Sequence, residues 1–112
     1  MDRKAFEAMK DSAILINCAR GGVVKESDLV WALEHDVIAG AGLDVTEHEP
    51  PLPDDAILHC KNVILYPHIA AQTREASYNM AKMCIEGVLS VLRGERIKNV
   101  ANPRAYEHAR WQ

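Results

Sequence analysis

Three short apolar runs punctuate the chain: residues 13–17 (AILIN), 38–45 (IAGAGLDV) and 63–66 (VILY). None alternates cleanly between polar and apolar. Continuous runs of this length predict strands buried on both faces, as in a parallel sheet. Helical spacing fills the intervals. Asp2 stands where it caps a first helix with Ala5, Phe6 and Met9 facing inward, and residues 26–35 present Leu29, Val30 and Leu33 on one side. The longest helix is predicted over residues 74–93, where Ala76, Met80, Met83, Cys84, Gly87, Val88, Val91 and Leu92 make a broad apolar stripe. Met80 and Met83 read as core packing. Thr73 occupies the N-cap position and Gly94 the C′ position of that helix. Strands alternating with helices define an α/β architecture with a parallel sheet.

Residues 46–62 break the pattern. They carry Pro50, Pro51 and Pro53, then a short predicted helix around residues 55–59. This is a loop-rich crossover. The tail, residues 96–112, is polar and is expected to lie across a surface. At 112 residues the chain has the length of one domain. Its composition is 48% hydrophobic and 26% charged, with 13 Lys plus Arg against 16 Asp plus Glu and a formal charge of -3. That is ordinary for a soluble globular protein. No basic run points to nucleic acid, and no apolar stretch exceeds strand length, so neither a nucleic-acid nor a membrane partner is expected. Met1-Asp2-Arg3-Lys4 leads into a polar amphipathic segment, unlike a signal peptide. Cys18, Cys60 and Cys84 are odd in number and scattered, which argues for a reducing, cytoplasmic setting.

In a parallel sheet every strand ends on the same edge, and ligands bind beyond those carboxyl ends. The residues that follow each run are therefore the informative ones. The first run is followed by Cys18-Ala19-Arg20-Gly21-Gly22, the second reaches Asp44 with Glu47 and Glu49 close behind, and the third leads to Pro67-His68-Ile69-Ala70. One arginine, several carboxylates and one histidine converge on one rim. A guanidinium matches a carboxylate bidentately. Histidine exchanges protons near neutrality, and a bonded carboxylate fixes its tautomer and favours the imidazolium. Such a set binds an acid and trades a proton with a neighbouring oxygen.

The segments INCARGG (16–22), GLDVTEHEPP (42–51) and PHIAAQT (67–73) resemble, in order and spacing, three signatures of the D-isomer-specific 2-hydroxyacid dehydrogenases. The resemblance runs from the first helix to about Val100. It implies the second half of a Rossmann-type doubly wound sheet. Residues 1–95 would be the C-terminal half of a nicotinamide-dinucleotide-binding domain, and residues 96–112 a tail. It further implies that Arg20 holds the substrate carboxylate and polarises the reacting carbonyl, that His68 is the acid/base and that Glu49 is its partner. By the same resemblance Asp44 contacts the nicotinamide carboxamide, with Cys18, Ala19, Arg20, His68 and the Ala70-Ala71 backbone lining the cofactor pocket. Some members carry glycines where Ala70-Ala71 stand, which bears on fine cofactor contacts alone. The implied cofactor is NAD, with NADP also open, and the implied substrate is a small 2-hydroxy or 2-oxo acid.

The family pattern also requires an upstream glycine-rich phosphate loop and a separate substrate domain. Gly40-x-Gly42 does not supply the loop, because Val45 holds the third glycine position and the glycines sit within a strand pattern. The chain alone is therefore expected to be inactive. The run at 13–17 would be an exposed apolar edge, which predicts a homodimer or higher oligomer through that edge or the long last helix. Two non-catalytic alternatives remain, a binding protein similar to the C-terminal-binding corepressors and an assembly module. Glu47 reads as a solvated loop carboxylate. His35, His48, His59 and His108 lack metal-ligand spacing, and His59-Cys60 has no second pair, so no metal is expected. Pro50-x-x-Pro53 reads as a turn after Glu49, and Trp31 and Trp111 as partly exposed.

Overall fold

The computed structural model describes residues 1–97 and 99–108, so Trp111 and the end of the tail lie outside the described residues. The chain divides into two compact units, Met1–Ala70 and Ala71–Gln112. In the first, helix α1 (Arg3–Glu7) precedes strand β1 (Ile14–Asn17), helix α2 (Glu26–Glu34), strand β2 (Gly40–Leu43) and strand β3 (Val63–Leu65). Single 3-10 turns lie at Gly21–Val23 and Ala56–His59. The strands form a parallel sheet in the order β1-β2-β3. The expected α/β class and strand count are thus observed, with β2 shorter than the apolar run that announced it.

The expected caps form. The Asp2 carboxylate accepts from the Ala5 N–H at 3.3 Å and starts α1. Acidic Glu26 and Asp28 occupy the first turn of α2, where the helix dipole favours them. The core joins α1 and α2 to one face of the sheet. Phe6, Leu29, Ile38 and Ile57 are fully buried, with Leu33, Ala41 and Leu43 among them. Trp31 is half-buried at the margin, with the Arg3 guanidinium 3.6 Å over its ring.

The other face of the sheet differs from expectation. Ile16, Gly42 and Ile64 lie side by side in register. Ile14, Ile16 and Ile64 are 65%, 72% and 65% exposed. The runs predicted burial on both faces; the structure covers one. An apolar run shows that both faces are suited to burial, and a second layer must be present for burial to occur.

In the second unit, α3 (Arg74–Leu92) starts at Thr73, whose hydroxyl accepts from the Ala76 N–H at 3.0 Å. It ends in a Schellman motif. Gly94 has φ +74°, its N–H donates to the Val91 carbonyl at 3.1 Å, and the Glu95 N–H donates to the Ser90 carbonyl at 2.8 Å. No residue of α3 is buried, and Met80 and Met83 are half exposed. The core role expected of these methionines is therefore corrected. Helical periodicity reports which side is apolar, and not what lies against it. In the tail a 3-10 turn, Pro103–Glu107, carries Tyr106, whose hydroxyl donates to the Ile97 carbonyl at 2.9 Å.

Candidate active site

The carboxyl ends of the strands deliver the site. At the end of β1, Asn17 is 5% exposed and its amide spans the following turn. Its Oδ1 accepts from the Ala19 N–H at 3.1 Å, and its Nδ2 donates to the Arg20 carbonyl at 3.0 Å. The side chain of the last strand residue thereby shapes the turn that carries Arg20. The Arg20 side chain is exposed, with Nη1 donating to the Ala19 carbonyl at 2.6 Å. Gly21 follows because nothing larger fits: a Cβ there would lie 1.8 Å from the Thr46 carbonyl oxygen.

Asp44 follows β2 and is 6% exposed. Its two carboxylate oxygens accept from the Ile69 and Ala70 N–H groups at 2.8 and 2.9 Å, while its carbonyl accepts from the His68 N–H at 2.9 Å. Three bonds from one residue hold the turn after β3. Within that turn His68 takes a left-handed backbone, φ +55°. Such a conformation is uncommon outside glycine, though histidine is among the residues enriched there.

His68 and Glu49 meet directly, Nδ1 to Oε2, at 2.8 Å. The second carboxylate oxygen of Glu49 accepts from the Thr46 N–H at 3.3 Å. The His68 hydrogen bond holds the Glu49 carboxyl below its ordinary value of 4.5, partial desolvation opposes it, and Arg20 lends a further favourable charge. A cavity of about 400 Å³ opens beside the pair, bounded by Thr46, Pro50, Leu58 and Tyr66. A second, of about 470 Å³, lies over the open sheet face between Ile16, Cys18, Ile64, Ile69 and Ala70, with Asp44 lining it.

The structure thus brings Asp44, Glu49 and His68 together and places Arg20 where its charge reaches Glu49. Cys18 and Ala70 face the second cavity. Ala19 serves the Arg20 turn through its backbone, and Ala71 begins the second unit. Glu47 is exposed on the loop after β2, as expected of a solvated carboxylate, and it also makes a loop contact. It and Glu26 each accept the other's backbone N–H, at 3.3 and 3.0 Å, which ties the loop after β2 to the start of α2. Asn17, Gly21 and Thr46 make the contacts of these turns, and sequence reasoning left them without a role. Asn17 stands three residues before Arg20 and Gly21 directly after it, and a polar residue closing an apolar run was the available signal.

A parallel half-sheet with an Arg, a buried Asp and a bonded Glu–His pair along its carboxyl edge is the arrangement of an open α/β sheet of the dinucleotide-binding type, whose ligands lie beyond the strand ends. Residues 1–70 match the sequence profile of the D-isomer specific 2-hydroxyacid dehydrogenase NAD binding domain, and the chain belongs to that family. It is 44% identical over 97 residues to a D-3-phosphoglycerate dehydrogenase of Archaeoglobus fulgidus, covering 87% of this chain and 18% of that protein. It is 45% identical over 100 residues to glyoxylate/hydroxypyruvate reductase B of Salmonella paratyphi B, covering 89% of this chain and 31% of that one. Among solved structures it resembles an NADPH-dependent glyoxylate/hydroxypyruvate reductase from Sinorhizobium meliloti, with a TM-score of 0.78, 37% identity and coverage of 89% and 32%. A D-lactate dehydrogenase with NAD+ from Lactobacillus jensenii gives 0.73, 35%, 91% and 34%. The chain thus spans 18% to 31% of the length of these curated relatives.

Proposed function

We propose that this chain supplies the catalytic half of an NAD(P)-dependent oxidoreductase acting on a small D-2-hydroxy or 2-oxo acid. The observation that carries the reading is the 2.8 Å bond between His68 Nδ1 and Glu49 Oε2, formed by residues from two different strand ends. With Nδ1 donating to the carboxylate, Nε2 is left to give or take the proton on the substrate oxygen. Glu49 fixes that tautomer and offsets the imidazolium charge. Arg20 offers the fork for the substrate carboxylate. When bound, the nicotinamide cofactor supplies or accepts the hydride at the substrate C2. The second cavity suits the nicotinamide end of such a group: an apolar wall for a flat ring, and the Asp44 oxygens, each able to accept a further hydrogen bond, for an amide. Among the described residues no glycine-rich strand-turn-helix offers a phosphate cradle, since Gly40 and Gly42 lie within β2.

The division proposed is residues 1–95 as one piece of the nucleotide-binding domain and 96–112 as a tail, with the family match itself covering residues 1–70. The names of the relatives favour glyoxylate and hydroxypyruvate as first substrates to try. A cytoplasmic setting agrees with scattered free thiols, and no described helix is long and apolar enough to cross a membrane. The unpaired edge of β1 and its exposed isoleucines support a homodimer or higher oligomer, which light scattering at micromolar concentration tests directly.

The deciding experiment is a chimera in which residues 1–97 replace the matching segment of the Salmonella paratyphi B reductase. NADH- and NADPH-dependent reduction of hydroxypyruvate is expected, falling by about 10²-fold or more in His68→Asn. A folded, cofactor-binding chimera without turnover would instead favour a non-catalytic binding protein. The 112-residue chain alone is expected to show no saturable NADH fluorescence change.

A further inference from the structure

The Glu49–His68 pair is aimed by a residue outside it. Thr46 follows buried Val45 on the loop leaving β2 and lines the cavity beside the pair. Three contacts meet there. The Thr46 N–H donates to Glu49 Oε1 at 3.3 Å, its hydroxyl donates to the His48 carbonyl at 2.6 Å, and its carbonyl lies against Gly21. The first contact occupies one carboxylate oxygen and leaves Oε2 for His68. The second closes the turn one residue before Glu49. The third sets the Arg20-bearing turn against the same peptide.

We propose that Thr46 is a positioning residue for the proton-transfer pair. Its hydroxyl locks the turn that points Glu49 Oε2 at His68, and its carbonyl registers that turn against Gly21 beside Arg20. This rests on the roles proposed above for Glu49 and His68. The need for such a device is physical. Glu49 sits on an exposed loop, and a glutamate has three rotatable bonds before its carboxylate, the last with a broad torsional minimum. A single bond to an equally exposed imidazole leaves both partners free to part. Anchoring Oε1 to a backbone N–H, within a turn closed by the hydroxyl, removes most of that freedom. Loss of the lock would cost catalysis through misplacement, with the chemical groups themselves intact.

The test uses the 112-residue chain and needs neither cofactor nor substrate. The Glu49 carboxyl carbon and the His68 Nδ1 are followed by NMR as pH is varied, in the parent chain, Thr46→Val, Thr46→Ser and Glu49→Gln. Val keeps the shape and removes the hydroxyl, while Ser keeps the hydroxyl. The Glu49 midpoint is expected to rise towards 4.5 in Thr46→Val, with the Nδ1 signal moving towards that of Glu49→Gln. Thr46→Ser is expected to stay with the parent. Should Thr46→Val not fold, Thr46→Ala against Thr46→Ser gives the same comparison. A folded Thr46→Val identical to the parent, or a Thr46→Ser that follows Thr46→Val, would overturn the proposal. In the chimera, kcat should fall about tenfold at unchanged KM; a rise in KM alone would also overturn it. A chimera without turnover beside intact NMR effects would count against the dehydrogenase reading and leave Thr46 as assigned.

Discussion

The two faces of the sheet are built from similar residues and meet different surroundings. On one, Leu15, Ala41, Leu43 and Leu65 pack with α1 and α2 into a closed core. On the other, Ile14, Ile16 and Ile64 stand in solvent. Hydrophobicity alone does not separate them. What separates them is whether a second layer is present. The covered face carries the stability of the first unit, while the open face is an unused capacity for burial, worth about 1.5–3 kcal/mol for each large aliphatic side chain that becomes covered.

The largest effect should therefore come from the covered side. Phe6→Ala is expected to cost about 3–5 kcal/mol in urea unfolding of the chain, because it leaves a cavity under both helices. A cost under 1 kcal/mol would mean that this core is loosely packed. Next comes the polar rim between the faces. Asp44→Ala leaves the Ile69 and Ala70 N–H groups without their acceptor, an expected loss of about 2 kcal/mol with faster amide exchange at those two positions. The open face should respond least. Ile16→Lys is expected to change unfolding by no more than about 0.5 kcal/mol while reducing self-association in light scattering. A loss comparable with Phe6→Ala would show that this face is covered in solution.

Acid offers a further probe of the rim. Glu49 and Asp28 both titrate below their ordinary values, Glu49 chiefly through the His68 hydrogen bond. For Asp28, burial opposes the shift, and the Lys25 side chain and the Arg3 N–H outweigh it. Groups depressed in the folded state contribute stability above their unfolded values, and that contribution disappears as pH falls through the folded ones. Stability is thus expected to decline below about pH 4.5, and Glu49→Gln should flatten part of that decline in a pH series of urea midpoints.

The α/β order and the helix ends could be read from the sequence, because caps and apolar periodicity are local. Thr73, Gly94 and Asp2 act where their positions predicted. The convergence of Arg20, Asp44, Glu49 and His68 was equally accessible, since parallel strands must end on one rim. What could not be read is what covers a surface. Ile16 and Leu15 look alike in the sequence, and so do Met80 and a core methionine. Nor could spacing reveal Glu47 pairing with Glu26, or the Gly21–Thr46 approach, both of which depend on loops meeting 21 or more residues apart.

The left-handed backbone at His68 has a consequence for how the proton transfer proposed for it can be silenced. Asparagine and glycine accept φ +55° readily, whereas valine or isoleucine there would set Cβ against the neighbouring peptide. Among random variants at this codon, Asn and Gly alleles should therefore accumulate as abundant but inert protein. β-Branched alleles should be cleared as misfolded. A mutational scan that scores abundance and turnover separately would show position 68 splitting into those two populations.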